Sequence, residues 1–245
     1  MLKGAELSLY YLGFKNVKKV AILVDGDFFI RCYKSHLKKQ FGDKYEDLNP
    51  EKLAHDIHIH CLKHINKKND EELYRIFFYD CKPLEKKVHY PHTQKALDLS
   101  KSSTYRERKD LHKHLISKPC LALRLGYLDE KNARWVIRDQ EKEKKLFKGE
   151  IYITDFTNDD FIYHAKQKGV DIKIGLDIAT LALKKLVQKI VLISGDSDFV
   201  PAAKLARVEG IIFTLDPMGN PIREDLEEHI DYLTTRLLRF KKQQQ

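Results

Sequence analysis

Short apolar runs recur along the chain and are separated by polar, turn-forming or helical segments. These runs are residues 17–25, 73–80, 189–193 and 211–215, and the first two end in aspartate. Runs that are apolar at consecutive positions and only this long are typical of strands covered on both faces of a sheet. They predict a sheet whose strands lie in the interior of the protein.

Segments with helical spacing lie between these runs. Residues 28–40 repeat apolar side chains at near-helical spacing, and Asn49-Pro50-Glu51 indicates the start of a helix that continues to about residue 65. Further helices are predicted over 172–187 with Asp171 as cap, from Phe199-Val200-Pro201 to Gly210, and from Asn220-Pro221 to about Arg239. The alternation of strand and helix predicts an α/β fold with a doubly wound, mostly parallel sheet.

The middle of the chain, about 82–150, has a different character. It is rich in Lys, Arg and His and poor in long apolar runs. We predict a basic helix over 103–117, a β-pair of 121–128 with 135–137, and a solvated run of charges over 141–148. The segment is interpreted as a basic helical and β-hairpin insertion in a single domain that covers residues 1–245.

The composition of the chain indicates where the protein is expected to occur and which class of partner it favours. The chain has 245 residues and is 42% hydrophobic, yet no stretch approaches the roughly 20 apolar residues that span a bilayer. The N-terminus lacks the pattern of a signal peptide, and none of the four cysteines has CxxC spacing. We therefore expect a cytoplasmic protein with reduced thiols and no membrane contact. Forty-five Lys and Arg against 36 Asp and Glu give a net charge of +9, which favours a polyanionic partner.

Aspartates follow the predicted strands. Asp25 and Asp80 end two of them, and Asp196 and Asp198 come just after the third. The carboxyl ends of parallel strands share one edge, where ligands bind, and we expect Asp177 to join them from the preceding helix. Converging carboxylates repel one another, and a hard divalent cation compensates them. The alternative is that Asp25, Asp80 and Asp196 serve turns, and that Asp171 and Asp198 cap helices.

The histidines of the predicted second helix could also indicate a metal site. His60 and His64 are four residues apart on one face, with His55 and His58 nearby. A metal would need further ligands, and the HExxH pattern is absent. We predict a solvated or partly buried helix instead.

Basic and aromatic residues alternate in the middle segment. The basic side chains on the predicted helix are Arg106, Arg108, Lys109 and Lys113, and the aromatic ones in the segment are Tyr105, Tyr127 and Trp135. This mixture suits single-stranded nucleic acid, whose phosphates are neutralised and whose bases stack. The alternative is a solvated helix and a hairpin with core aromatics. Ser194 and Lys173, beside the acidic motifs, are further candidates for contact with a substrate.

Three motifs resemble the bacterial NYN family of the PIN-like nuclease superfamily. They are Val-Asp-Gly-Asp at 24–27, Lys-Gly-Val-Asp-Ile-Lys-Ile-Gly-Leu-Asp at 168–177 and Leu-Ile-Ser-Gly-Asp-Ser-Asp-Phe at 192–199. The resemblance implies a Rossmann-like sheet and a Mg²⁺- or Mn²⁺-dependent site that cuts RNA. It also implies that Asp25, Asp177 and Asp196 are metal ligands and that Asp198 is an auxiliary catalytic residue. Family members often have Asn soon after the first Asp-Gly, whereas this chain has Phe28 and Phe29.

The leading interpretation is a metal-dependent ribonuclease, acting as an endonuclease on single-stranded RNA. A non-catalytic RNA-binding module with the same fold is one alternative. The other is a phosphatase of the haloacid-dehalogenase type, because Asp25-Gly26-Asp27 has its DxD spacing. In that case Asp25 would be a covalent nucleophile, although position 29 carries Phe where the phosphatase motif has Thr or Val.

Overall fold

The protein is described by a computed structural model that covers residues 17–42 and 49–236. The strands of its main sheet are β1 (Lys18–Asp25), β2 (Glu71–Cys81), β5 (Leu121–Leu128), β8 (Gln167–Lys168), β9 (Lys189–Ile193), β10 (Ile212–Asp216) and β11 (Tyr232–Leu233). They are ordered β11-β10-β9-β1-β2-β5-β8. Every neighbouring pair is parallel except β5 and β8, which are antiparallel. Two short antiparallel ribbons lie apart from this sheet and pair β3 (Lys87–His89) with β4 (Ala96–Asp98) and β6 (Arg134–Ile137) with β7 (Phe161–His164).

Helices cover both faces of the sheet. The described helices are α1 (Gly26–Phe41), α2 (Pro50–Leu62), α3 (Ser103–Ile116), α4 (Gln140–Phe147), α5 (Val170–Leu183), α6 (Val200–Val208) and α7 (Glu224–Glu227). One core joins the sheet to α1, α2 and α3, and a second core on the opposite face joins it to α5 and α6. The predicted doubly wound, mostly parallel α/β fold is confirmed.

Strand β1 shows why the apolar run is continuous in the sequence. Its residues 20–24 are all fully buried. Ala21 and Leu23 face the core under α5 and α6, and Ile22 and Val24 face the core under α1, α2 and α3. Because successive side chains of a strand point to opposite faces, a strand between two helical layers needs an apolar residue at every position.

Several helix boundaries agree with their local signals. Asn49 caps α2 by accepting hydrogen bonds from the N–H groups of Glu51 and Lys52, at 2.9 and 3.3 Å. Gly210, with a φ of 79°, follows the end of α6. These ends are set by neighbours in the sequence, so the sequence predicts them well.

The predicted β-pair of 121–128 with 135–137 is wrong. β5 pairs in parallel with β2, from Ile76 opposite Leu121 to Cys81 opposite Gly126. β6 pairs instead with β7, about 30 residues further along the chain. The prediction relied on a possible turn between two apolar segments, which is a local signal. In the structure each of the two strands pairs instead with a strand that is not its neighbour in the sequence. The interval 82–150 thus supplies one strand and one helix of the main layers, in addition to the ribbon of β3 and β4 and one strand of the ribbon of β6 and β7.

The predicted long final helix is also wrong where the structure describes it. α7 has four residues, and β11 then pairs in parallel with β10, with Thr214 opposite Tyr232. The carboxylate of Asp231 accepts the N–H of Phe213 at 2.7 Å, which holds this segment to the sheet. Pairing with the edge strand β10 therefore outweighs the helical propensity of the β11 segment. Arg239, the expected end of the helix, lies outside the described residues.

None of the described helices is both long enough and apolar enough to cross a membrane. The four cysteines are unpaired in the structure; Cys32, Cys61 and Cys81 are buried and Cys120 is exposed.

Candidate active site

Several strands of the sheet end in or are followed by aspartate at its carboxyl edge. Asp25 lies opposite Tyr79 in the ladder of β1 and β2, and Val24 lies opposite Ile193 in the ladder of β1 and β9. The ends of β1, β2 and β9 are therefore level with one another. The aspartates that follow these strands begin at the same edge, but their side chains take different directions.

Asp25 is buried enough to disfavour its charge. Its carboxylate caps α1 by accepting the N–H of Phe28 at 3.1 Å. Its pKa is raised from 3.8 to about 6, chiefly by burial and also by the negative charges of Asp27 and Asp171, against lowering by the Phe28 N–H and Arg31. A carboxylate in this setting gains from a nearby cation.

The turn after β9 is tied to Asp25 through Ser194. The Ser194 hydroxyl lies 3.5 Å from Asp25 Oδ2 and accepts the N–H of Asp196 at 3.3 Å. Ser194 is fully buried, so it links the two strand ends and does not present its hydroxyl to solvent, as a substrate contact would require. Asp196 and Asp198 are exposed, and the carboxylate of Asp196 accepts the N–H of Asp198 at 3.0 Å.

Phe28 packs against the same turn. A side-chain carbon added at Gly195 would lie 2.7 Å from the Phe28 ring, so a larger residue there would require the ring to move. The aromatic residue that departs from the usual family sequence thus supports the turn that carries Asp196.

Asp171 lies near these carboxylates. The sequence interpretation left open whether this residue takes part in the site. Its pKa is raised by partial desolvation and by the charges of Asp196 and Asp198. The expected capping role is wrong, because α5 begins at Val170 and its cap is Gly169, with a φ of 78°. Asp25, Asp171, Asp196 and Asp198 are called the acidic edge below. The signal for Asp171 was its place in the Lys-Gly-Val-Asp part of the second motif.

Asp177, expected to be a metal ligand, has other partners in the structure. Its Oδ2 accepts the Tyr79 hydroxyl at 2.8 Å and lies 3.3 Å from Arg124 Nε. Burial, together with the charge of Asp177, raises the pKa of Tyr79, which keeps that hydroxyl a donor. Asp177 therefore joins α5 to β2 and β5.

Asp80 is buried and already compensated. Its Oδ2 lies 2.6 Å from His112 Nε2 and 3.0 Å from Arg108 Nη1. Arg108 also reaches towards Asp27, at 3.7 Å. Asp80 thus holds α3, and with it one guanidinium group, beside the acidic edge.

The other basic residues proposed for substrate contact lie on the surface. Arg106, Lys109 and Lys113 are exposed on α3, and Lys173 is exposed on α5. Lys109 Nζ lies 3.3 Å from the Tyr105 hydroxyl, which in turn donates to Glu85.

The three aromatic residues of the middle segment differ in accessibility. Tyr105 is buried, and Trp135 packs between Tyr90 and Tyr163, with ring centroids 4.8 and 5.4 Å away. Tyr127 is 61% exposed. Of these three, only Tyr127 offers most of its ring to a stacking partner.

The donor set of the acidic edge fits Mg²⁺ or Mn²⁺. All four side chains offer carboxylate oxygens, which these hard ions prefer, and Mg²⁺ keeps several waters that can span gaps between ligands. The carboxylates of the acidic edge are more widely spaced than the ligands of a compact metal site. Among the described residues, three possible ligand atoms of His, Cys, Asp or Glu lie within 4.8 Å of one another only at His60, His64 and Asp216.

The NYN domain family model matches residues 19–232, nearly the whole chain. The chain belongs to the NYN domain family. NYN domains are PIN-like and are generally ribonucleases, and PIN-like nucleases generally depend on divalent metal ions. Family membership favours a nuclease over the phosphatase alternative.

Other comparisons of this NYN domain add little. A protein of unknown function from Vibrio parahaemolyticus RIMD 2210633, VPA0982, is similar in structure with a TM-score of 0.46 and 13% identity, over 90% of this chain and 94% of that one. No curated protein matches the chain.

Proposed function

We propose that this NYN domain is a Mg²⁺- or Mn²⁺-dependent ribonuclease that cuts single-stranded RNA internally. The observation that carries the proposal is the acidic edge, where four carboxylates from three segments lie near one another and Asp25 has a pKa of about 6. Burial is the largest cause of the raised pKa values of Asp25 and Asp171, and the neighbouring carboxylates add to it; this combination is typical of a site built for a divalent cation.

Asp25, Asp171 and Asp196 would hold the cation, with Asp198 beside them. When bound, such an ion neutralises charge on a phosphate and lowers the pKa of a coordinated water. Asp177, the ligand implied by the family resemblance, takes a positioning role in this proposal, because Tyr79 and Arg124 occupy its carboxylate.

The surroundings of the edge support a single-stranded polyanion as substrate. Arg108 stands at the edge, held by Asp80, while Arg106, Lys109, Lys113 and Lys173 are further contacts for phosphates. Tyr127 can stack on an unpaired base. Asp196 and Asp198 are exposed, so a chain could cross the edge without threading a free end.

The test is incubation with matched linear and circular single-stranded RNA in Mg²⁺, Mn²⁺ or EDTA. We expect both RNAs to be cut with either metal and neither in EDTA, since a circle offers no end to an exonuclease. Asp196→Asn, purified identically, controls for contaminating nuclease. Cutting of the linear RNA alone would reject internal cleavage. Binding without cutting under every condition would favour the RNA-binding module.

A further inference from the structure

A second group of potential metal ligands lies in the interior, on the opposite face of the sheet from α5. His60 lies in the last turn of α2, His64 lies in the turn that follows the helix, and Asp216 ends β10. His60 Nε2 and His64 Nε2 lie 3.0 and 2.9 Å from the same oxygen, Asp216 Oδ2. All three residues are buried, with at most 3% of their surface exposed. They are called the buried triad below.

We propose that the buried triad is a structural site for a zinc-class transition-metal ion, distinct from the acidic edge. The two imidazoles, one in the last turn of α2 and the other just after it, face the same oxygen and can therefore face one ion. The third ligand that the sequence interpretation lacked is supplied by Asp216. A set of two imidazoles and one carboxylate suits Zn²⁺ and its neighbours better than Mg²⁺, which prefers oxygen throughout.

The spacing of the triad fits such an ion. Zinc binds imidazole nitrogen at about 2.0–2.1 Å and carboxylate oxygen at about 2.0–2.2 Å, so tetrahedral ligand atoms lie roughly 3.3 Å apart. The two nitrogen-to-oxygen distances of 3.0 and 2.9 Å need to open by only a few tenths of an ångström. Three protein ligands leave the fourth position to water.

The charge and hydrogen bonding of the triad also favour an ion. Asp216 is an interior carboxylate, and a cation beside it would compensate its buried charge. His60 Nδ1 and Thr214 Oγ1 are buried without a hydrogen-bond partner among the described residues, and Thr214 is on the same face of β10 as Asp216. The hydrogen bonds among these residues therefore leave two buried polar atoms without a partner, and a water bound to the metal would add one potential hydrogen-bond partner in this interior.

The ion would hold together segments that are far apart in the chain. Asp216 also accepts the N–H groups of Met218, at 2.8 Å, and Arg236, at 3.4 Å. A metal at the triad therefore fixes α2 to the end of β10 and to the segment after β11. Because it is buried away from solvent, its effect falls on stability and not directly on RNA cleavage.

The test measures zinc in the full-length protein. Wild type produced with zinc and freed of loosely held metal by a weak chelator should retain about one zinc per chain by mass spectrometry, and added zinc should raise its melting temperature. His60→Gln and Asp216→Asn should lose both effects. His55→Gln is the matched control, because His55 is exposed on the same helix and should behave as wild type.

A measurement on wild type alone guards against variants that fail to fold. Cobalt added to the metal-free wild type should give the visible absorption of a four-coordinate nitrogen and oxygen site, and zinc should displace it. Wild type that takes up neither metal, with an unchanged melting temperature, would reduce the triad to a hydrogen-bonded cluster and overturn the proposal.

The result is separable from the proposed nuclease. Asp25→Asn should keep the zinc while losing RNA cleavage. Zinc lost in Asp25→Asn but kept in His60→Gln would assign the ion to the acidic edge and reject the buried site.

Discussion

At the scale of single residues, Asp25 shows how a candidate ligand affects the stability of the fold. Its pKa in the folded protein is about 6 against an ordinary value of 3.8. The folded state therefore binds the proton more tightly than the unfolded state does, so the free energy of unfolding falls as the pH rises through this interval. Above pH 6 the ionised Asp25 destabilises the metal-free protein.

Asp25→Asn should therefore stabilise the metal-free protein at pH 8, by on the order of 2 kcal/mol, since Asn also caps helices but carries no charge. At pH 4 the gain should be small, because the wild-type carboxyl is then mostly protonated. Urea unfolding in EDTA at both pH values measures it. An equal gain at both would show that the buried charge is not the cause.

Asp171 and Asp177 both lie on α5, and substitutions at the two positions can distinguish a metal ligand from a positioning residue. Asp171→Asn should abolish metal-dependent cleavage and leave the melting temperature unchanged or higher, because it relieves repulsion at the acidic edge. Asp177→Asn should lower stability by about 1 kcal/mol through its weaker bond to Arg124, and retain measurable cleavage. Melting and cleavage rates of both variants decide this, and the reverse pattern would restore Asp177 as the metal ligand.

At the scale of elements, α5 contains a glycine that its own packing does not need. A Cβ at Gly175 would have nothing within 4 Å, and the residue lies inside the helix. Glycine in a helix interior costs roughly 0.5–1 kcal/mol relative to alanine.

Gly175→Ala should therefore raise the free energy of unfolding by about 0.5–1 kcal/mol. The contrasting variant is Gly26→Ala, whose Cβ would lie 2.4 Å from the Tyr79 carbonyl oxygen and should destabilise the protein. Chemical denaturation of the two variants and wild type compares them. A loss of stability in Gly175→Ala would mean that something outside the described contacts requires the glycine.

Helix α3 tests where the substrate binds. Replacing Arg106, Lys109 and Lys113 by Ala should weaken binding to single-stranded RNA and reduce its salt-dependence slope by up to about 2, at about 0.7 per lost phosphate contact. A charge-matched control replaces Lys38, Lys39 and Lys67, which are exposed at the opposite edge of the sheet. Equal slopes for the two triple variants would place the binding surface elsewhere.

At the scale of the whole molecule, a chain of net charge +9 gathers carboxylates at one edge of its sheet. The overall charge attracts a polyanion, whereas the metal-free edge repels its phosphates. A cation bound at the acidic edge makes the local charge less negative, so RNA binding and metal binding should be coupled.

Asp196→Asn should accordingly bind RNA more tightly than wild type in EDTA, because one exposed negative charge has been removed. With Mg²⁺ present the advantage should disappear or reverse, since wild type then holds the cation better. Titration of labelled RNA under both conditions measures this coupling. Affinities that do not respond to Mg²⁺ in either protein would disconnect Asp196 from the metal.

The sequence by itself determined the four central strands β1, β2, β9 and β10, most helix starts and the aspartates at the strand ends, because these depend on residues adjacent in the chain. Only the tertiary structure decided which segments pair and which way a side chain points. It placed β5 beside β2 and formed β11 where a helix was expected. It also set Asp171 near Asp196 and Asp198, and paired Asp177 with Arg124. It also brought Asp216 to His60 and His64 across some 150 residues, a distance over which no local pattern carries information.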